Sequence, residues 1–150
     1  MQVKKILMAG IGGGFLLLVV MIISGAVANL FLPYTIFEIP GMRTADDPVS
    51  ILFFLYPFVI ALAGGILFNF LDPALKGGMG RRGLIFGMLL ILLVTIPNQF
   101  VIYASMYYPP GFYLSSILNG LIGYPLFGIL CAWIWKTRGI EELKSEARGI

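Results

Sequence analysis

The chain has no histidine and a single cysteine, Cys131, among its 150 residues. Without imidazole, haem or zinc ligation through histidine is excluded for one chain. A lone thiol forms neither an internal disulfide nor an internal dithiol redox pair. Charge is equally scarce. Asp, Glu, Lys and Arg make up 11% of the residues, and none falls in Ile6 to Leu32, Pro48 to Leu71 or Gly83 to Trp135. Ionisable groups inside membrane spans mark proton relays and ion coupling, so proton-driven antiport is disfavoured. The acids Glu38, Asp46 and Asp47 cluster in one loop without a histidine or serine partner. No nucleophile–base constellation is present. The chain is therefore read as a non-enzyme, with no catalytic residue, metal or cofactor.

What fills the charge-free stretches is apolar. The chain is 59% hydrophobic, with a mean hydropathy of +0.97. A bilayer core of about 30 Å needs roughly 20 apolar residues per helix. The first two stretches supply one span each. The third is long enough for two, folded back at Tyr107-Tyr108-Pro109-Pro110-Gly111. The reading is all-α: an integral membrane four-helix transmembrane bundle, with spans over residues 6–32, 48–71, 83–106 and 112–135 and a tail over 136–150. The polar segments between them are too short to bury a core of their own, so one domain is expected.

The formal charge is +3, and its placement says more than its size. Lys4, Lys5, Lys76, Arg81, Arg82, Lys136, Arg138, Lys144 and Arg148 fall on one side of a chain that crosses four times, and Arg43 alone falls on the other. The positive-inside rule then puts both termini in the cytoplasm of a cell membrane. It also explains these charges without nucleic acid. Tyr34, Phe37, Tyr107, Tyr108, Phe112 and Tyr113 collect at the outer boundary and Trp133 and Trp135 at the inner one, as interfacial rings do. Lys4-Lys5, an apolar run and Ala26-Val27-Ala28 also fit a signal peptide, but the run approaches a full span in length, and a retained span is expected.

Small residues mark every span. Gly10 and Gly14 form a GxxxG in span one, Gly83 and Gly87 a second in span three, and Gly120 and Gly123 lie in span four. Such positions let helices approach closely, either within the chain or in a homo-oligomer or another membrane assembly. Asp47-Pro48 reads as an N-cap followed by a first-turn proline. The same grammar at Asp72-Pro73 predicts a short turn ending at Gly77-Gly78, with Lys76, Arg81 and Arg82 facing anionic lipid headgroups. The glycines around Arg81 lack the GxxxxGK[ST] spacing of a phosphate loop. The charged tail reads as a short surface helix or a frayed end. The two halves also show a weak parallel repeat of basic start, GxxxG and proline turn.

Pro57, Pro97 and Pro125 lie within spans two to four, where each removes a backbone hydrogen bond and is expected to kink its helix. Beside them is the most polar patch. Thr95, Asn98 and Gln99 share a face of span three by i, i+3, i+4 spacing, and Ser116 and Asn119 share a face of span four. Counting helix rise from the turn puts Asn98 and Asn119 at similar depth. Two readings follow. The carboxamides clamp the hairpin by bonding to each other, or Asn98, Gln99, Asn119 and Tyr103 line a small polar cavity open to the outside.

Small four-span multidrug transporters resemble this chain in size and layout, and the resemblance implies an embedded glutamate that no span contains. Quinone-linked thiol oxidases are also four-helix bundles but need paired cysteines. Neither family is assigned. The sequence points first to a small accessory subunit or homo-oligomer acting through helix packing. The alternative is a passive channel, transporter or binder for a neutral solute or lipid.

Overall fold

The structure, a computed structural model, describes the backbone of residues 2–148 and the side chains of residues 2–136. Five α-helices and three short helical turns account for its regular structure: α1 (Val3–Phe31), α2 (Leu52–Leu71), α3 (Met79–Leu90), α4 (Ile96–Ser105) and α5 (Pro110–Arg148). No strand occurs among the described residues. Four helical segments are long and apolar enough to cross a membrane: Val3–Phe31, Pro48–Leu71, Met79–Ser105 and Pro110–Lys136.

Several boundaries differ from the sequence expectation. Span three begins at Met79, before Arg81 and Arg82, because Gly78 in extended backbone starts the helix. The last helix does not stop at Trp135 but continues to Arg148. The backbone of the tail thus extends span four, and the side chains of its charged residues beyond Lys136 lie outside those described.

The first turn of span two forms as read. Asp47 Oδ1 accepts the Val49 N–H at 2.8 Å, Pro48 occupies the first helical position, and Arg43 closes on the free carboxylate oxygen of Asp47 at 2.6 Å. Asp72 caps the end of α2 and opens the expected turn, its carbonyl accepting from the Leu75 N–H at 3.3 Å, but its carboxylate pairs with Arg82 instead of capping backbone. Arg82 also lies 6.0 Å over the Phe68 ring, so part of it faces protein. Lys76 and Arg81 are exposed.

Three interfaces organise the bundle. α1 packs against α2 on one side and α5 on the other, and α3 packs on α5. Lipid tails are as apolar as leucine, so close dispersion contact rather than water exclusion holds such helices together. The glycines supply that closeness. A Cβ on Gly83 would stand 2.5 Å from the Ile129 Cα, and one on Gly87 2.5 Å from the Pro125 Cα. Gly10 faces Leu62 and Gly14 the Phe58 ring, both on α2, while Gly123 faces Leu17 on α1. All of these glycines are spent inside one chain.

At the end carrying the basic residues, rings bridge all four helices. Phe68 of α2 meets Phe86 of α3 at 4.9 Å and Trp135 of α5 at 5.3 Å. Phe127 fills the notch left by Gly13 and Gly64. Trp135 is accordingly buried in the core, while Trp133 is exposed. Cys131 is buried beside this layer.

At the opposite end the bundle opens. Between α3 and α4, Ile91–Thr95 widens into a π turn, and the Ile96 N–H reaches back five residues to the Ile91 carbonyl. Pro97 follows directly. With no N–H to donate and a ring that crowds the preceding turn, it favours this wider register. Beyond it, α4 buries none of its residues.

Candidate functional site

The opening holds a cavity of about 420 Å³ between the start of α2 and span three, backed by α1 and α5. Its polar wall is Thr95 and Asn98 from span three with Ser115, Ser116 and Asn119 from α5. Its apolar wall is Met21, Leu52, Phe53, Val94 and Phe112. Tyr56 and Tyr124 also line it. No charged side chain lines the cavity.

Local bonds hold the wall and roof in place. Gly120 allows Thr95 to approach α5, since a Cβ there would collide with the Thr95 hydroxyl. The roof segment carries Tyr34 and Ile36. Its position is fixed by the Tyr34 N–H donating to Asn29 Oδ1 at 2.8 Å and by Tyr34 meeting Phe112 edge-on at 6.3 Å. Tyr108 packs on the other side of Phe112 at 4.6 Å.

The six residues singled out from sequence divide. Thr95, Asn98, Ser116 and Asn119 line the cavity. Gln99 does not, and its Nε2 donates to Ser116 Oγ at 2.5 Å. Tyr103 is 79% exposed, with its ring against Tyr113 at 6.1 Å, and stays outside. Among the described residues, no hydrogen bond joins Asn98 to Asn119. The reason is the length of the turn. α4 ends at Ser105 and α5 begins at Pro110, so Gln99 and Ser116 each lie six residues from their helix end (105 − 99 and 116 − 110). Equal rise places them opposite one another. Asn98 and Asn119 lie seven and nine residues away, and miss.

The polar wall is therefore under-satisfied. Asn119 Oδ1 is buried without a partner, as is Gln99 Oε1 outside the cavity lining. The Ser116 oxygen accepts from Gln99, which leaves its own O–H to donate. Buried polar groups ordinarily find partners, so unmatched donors and acceptors around one cavity mark a place where something else supplies them.

Tyr56 and Tyr124 were missed by sequence reasoning. Each sits in an apolar run and looks like lipid-facing or core aromatic surface. The one available signal was helical spacing: Tyr56 adjoins Pro57, Tyr124 adjoins Pro125, and Tyr124 follows Gly120 by four residues on the same face. A second depression of about 330 Å³ lies beside the first and shares Leu52 and Phe53 with it, with Arg43 at its rim. Arg43 is already paired with Asp47. Among the described residues, no group of three His, Cys, Asp or Glu side chains is placed to hold a metal ion.

No family model matches this chain, and no curated protein or solved structure is similar to it. The functional reading rests on the site itself.

Proposed function

We propose that this is a non-enzymatic membrane protein that binds or passes a small neutral solute or lipid through the cavity between α2 and span three. The observation that carries this reading is the cavity's lining: uncharged hydroxyls and carboxamides on one wall, apolar side chains on the other, and a buried Asn119 oxygen without a partner. Its volume falls in the range of about 300–1,000 Å³ typical of small-molecule pockets.

In this reading both termini are cytoplasmic in a cell membrane, because all but one of the basic residues gather at the end opposite the cavity. The cavity then belongs to the outer half of the bilayer. Pro57, Pro97 and Pro125 bend spans two to four. Lys76 and Arg81 meet anionic headgroups on the inner face.

Replacing Asn98 and Asn119 together by Leu tests it. Among the described residues neither side chain forms a hydrogen bond, so the fold is expected to survive, while binding or transport of the neutral ligand is lost. Unchanged binding would refute a role for this wall.

A second reading, an accessory subunit or homo-oligomer acting through packing, is favoured by one feature. α4 buries nothing and presents Phe100 and Tyr103, 74% and 79% exposed. The glycine faces no longer support it, since they are occupied within the chain. Native mass spectrometry of the protein released from its own membrane separates the two. A discrete oligomeric mass supports assembly, and a monomer with a reproducible bound small molecule supports the binder.

A further inference from the structure

We propose that the ligand is a single-chain, uncharged lipid with a hydroxylated head, such as a monoacylglycerol. Its head would lie on Thr95, Ser116 and Asn119, and its chain would leave the bundle between α2 and α4. The inference rests on the cavity reading above and narrows it to a chemical class.

Charge decides the first point. The wall contains no ionisable partner of either sign, apart from tyrosines that are neutral at physiological pH. Taking an unpaired charge out of water is among the costliest transfers a protein makes, so an anionic or cationic head is excluded from this wall. Hydrogen-bonding capacity decides the second. Ser116 has an O–H to give, and the Asn119 carboxamide is unpartnered at its buried oxygen. The Thr95 hydroxyl forms no hydrogen bond among the described residues. A hydroxyl both donates and accepts and can answer all three, whereas an ester alone only accepts.

Size and access decide the third. At about 420 Å³ the cavity has room for on the order of a dozen water-sized groups, which suits one chain rather than two. Leu52 and Phe53 of α2 and Val94 and Asn98 of span three all line the cavity. α2 and α4 have no extensive contact there, so the gap faces the flanks of the bundle and gives an acyl chain a lateral exit.

The test compares three probes with the same chain on the full-length protein in detergent, followed by native mass spectrometry at alkaline pH, where oleate is ionised. The probes are monooleoylglycerol, oleate and methyl oleate. Retention of monooleoylglycerol at one per chain, about tenfold above the other two, is expected, as one well-placed hydrogen bond is worth about that factor. Asn119→Leu is expected to remove the margin. Equal retention of all three would overturn the head assignment while leaving a cavity that binds chains. Preference for oleate would overturn it on charge. Retention of none would overturn this inference alone, the wider reading being decided by the Asn98 and Asn119 replacement. If Asn119→Leu fails to fold, the three-probe comparison on the unaltered protein decides alone.

Discussion

Gly87 of α3 rests on the backbone of Pro125 in α5: a Cβ on this glycine would lie 2.5 Å from the proline Cα and 2.7 Å from its nitrogen. Both obstacles are backbone, which cannot rotate aside as a side chain can. Pro125 also leaves α5 without one of its own hydrogen bonds at this point. Two helices thus meet where one has no side chain and the other lacks a donor. Gly87→Ala is expected to force them apart and cost about 1–3 kcal/mol, the usual range for overpacking. Gly80→Ala is the control, since its Cβ would meet nothing within 4 Å. Reversible unfolding in mixed micelles would measure both. Equal stability of the two variants would show that α3 and α5 are not packed this closely.

The extent of the helices was legible because long charge-free runs leave a chain few alternatives in a bilayer. Asp47-Pro48 was legible because capping is local chemistry. What was not legible depends on where one helix stands relative to another. Gln99 and Asn98 are neighbours in sequence, and only the end of α4 at Ser105 decides which of them meets α5. Arg82 looked like a headgroup contact because its partner, Asp72, is ten residues away across a turn whose course is set by Gly77 at φ +112°. Tyr124 belongs to the core and lines the cavity as well, a double role that depends on where neighbouring helices stand.

Asp72 and Arg82 form an ion pair at the junction of α2 and α3 with only 16% and 18% of their side chains exposed. Removing one partner strands the other in a largely dry setting. Asp72→Ala and Arg82→Ala are each expected to destabilise the protein by about 3 kcal/mol. The double variant should cost clearly less than the sum. A double-mutant cycle checks this. Strict additivity would mean that Arg82 faces lipid after all.

The Asp47 cap gives the loop a pH signature. Its carboxyl is held below its ordinary 3.8, first by the Val49 N–H it accepts and then by the Arg43 guanidinium. A depressed carboxyl contributes stability that is present above 3.8 and lost as pH falls through the lower folded value. The Val49 amide resonance in micelles is expected to titrate with a midpoint below 3.8. Asp47→Asn, which still caps, should abolish that titration and leave the helix start intact. A midpoint at or above 3.8 would rule out the cap bond.

Gln99 and Asn119 are expected to separate stability from binding. The Gln99 amide donates to Ser116 across the hairpin and ties α4 to α5, while α4 buries no residue of its own. Interhelical hydrogen bonds in membranes are worth about 1 kcal/mol. Gln99→Leu should cost about that much, and it should loosen α4 first, visible as faster amide exchange from Ile96 to Ser105. Asn119 has no such bond to lose. Its oxygen is already unpartnered, so Asn119→Leu removes a buried polar group that contributes nothing to the fold. Stability should hold or rise slightly, while affinity for a neutral ligand falls. If instead Asn119→Leu destabilises and Gln99→Leu does not, the carboxamide of Asn119 is the structural clamp, and the polar wall exists to hold the hairpin rather than to meet a ligand.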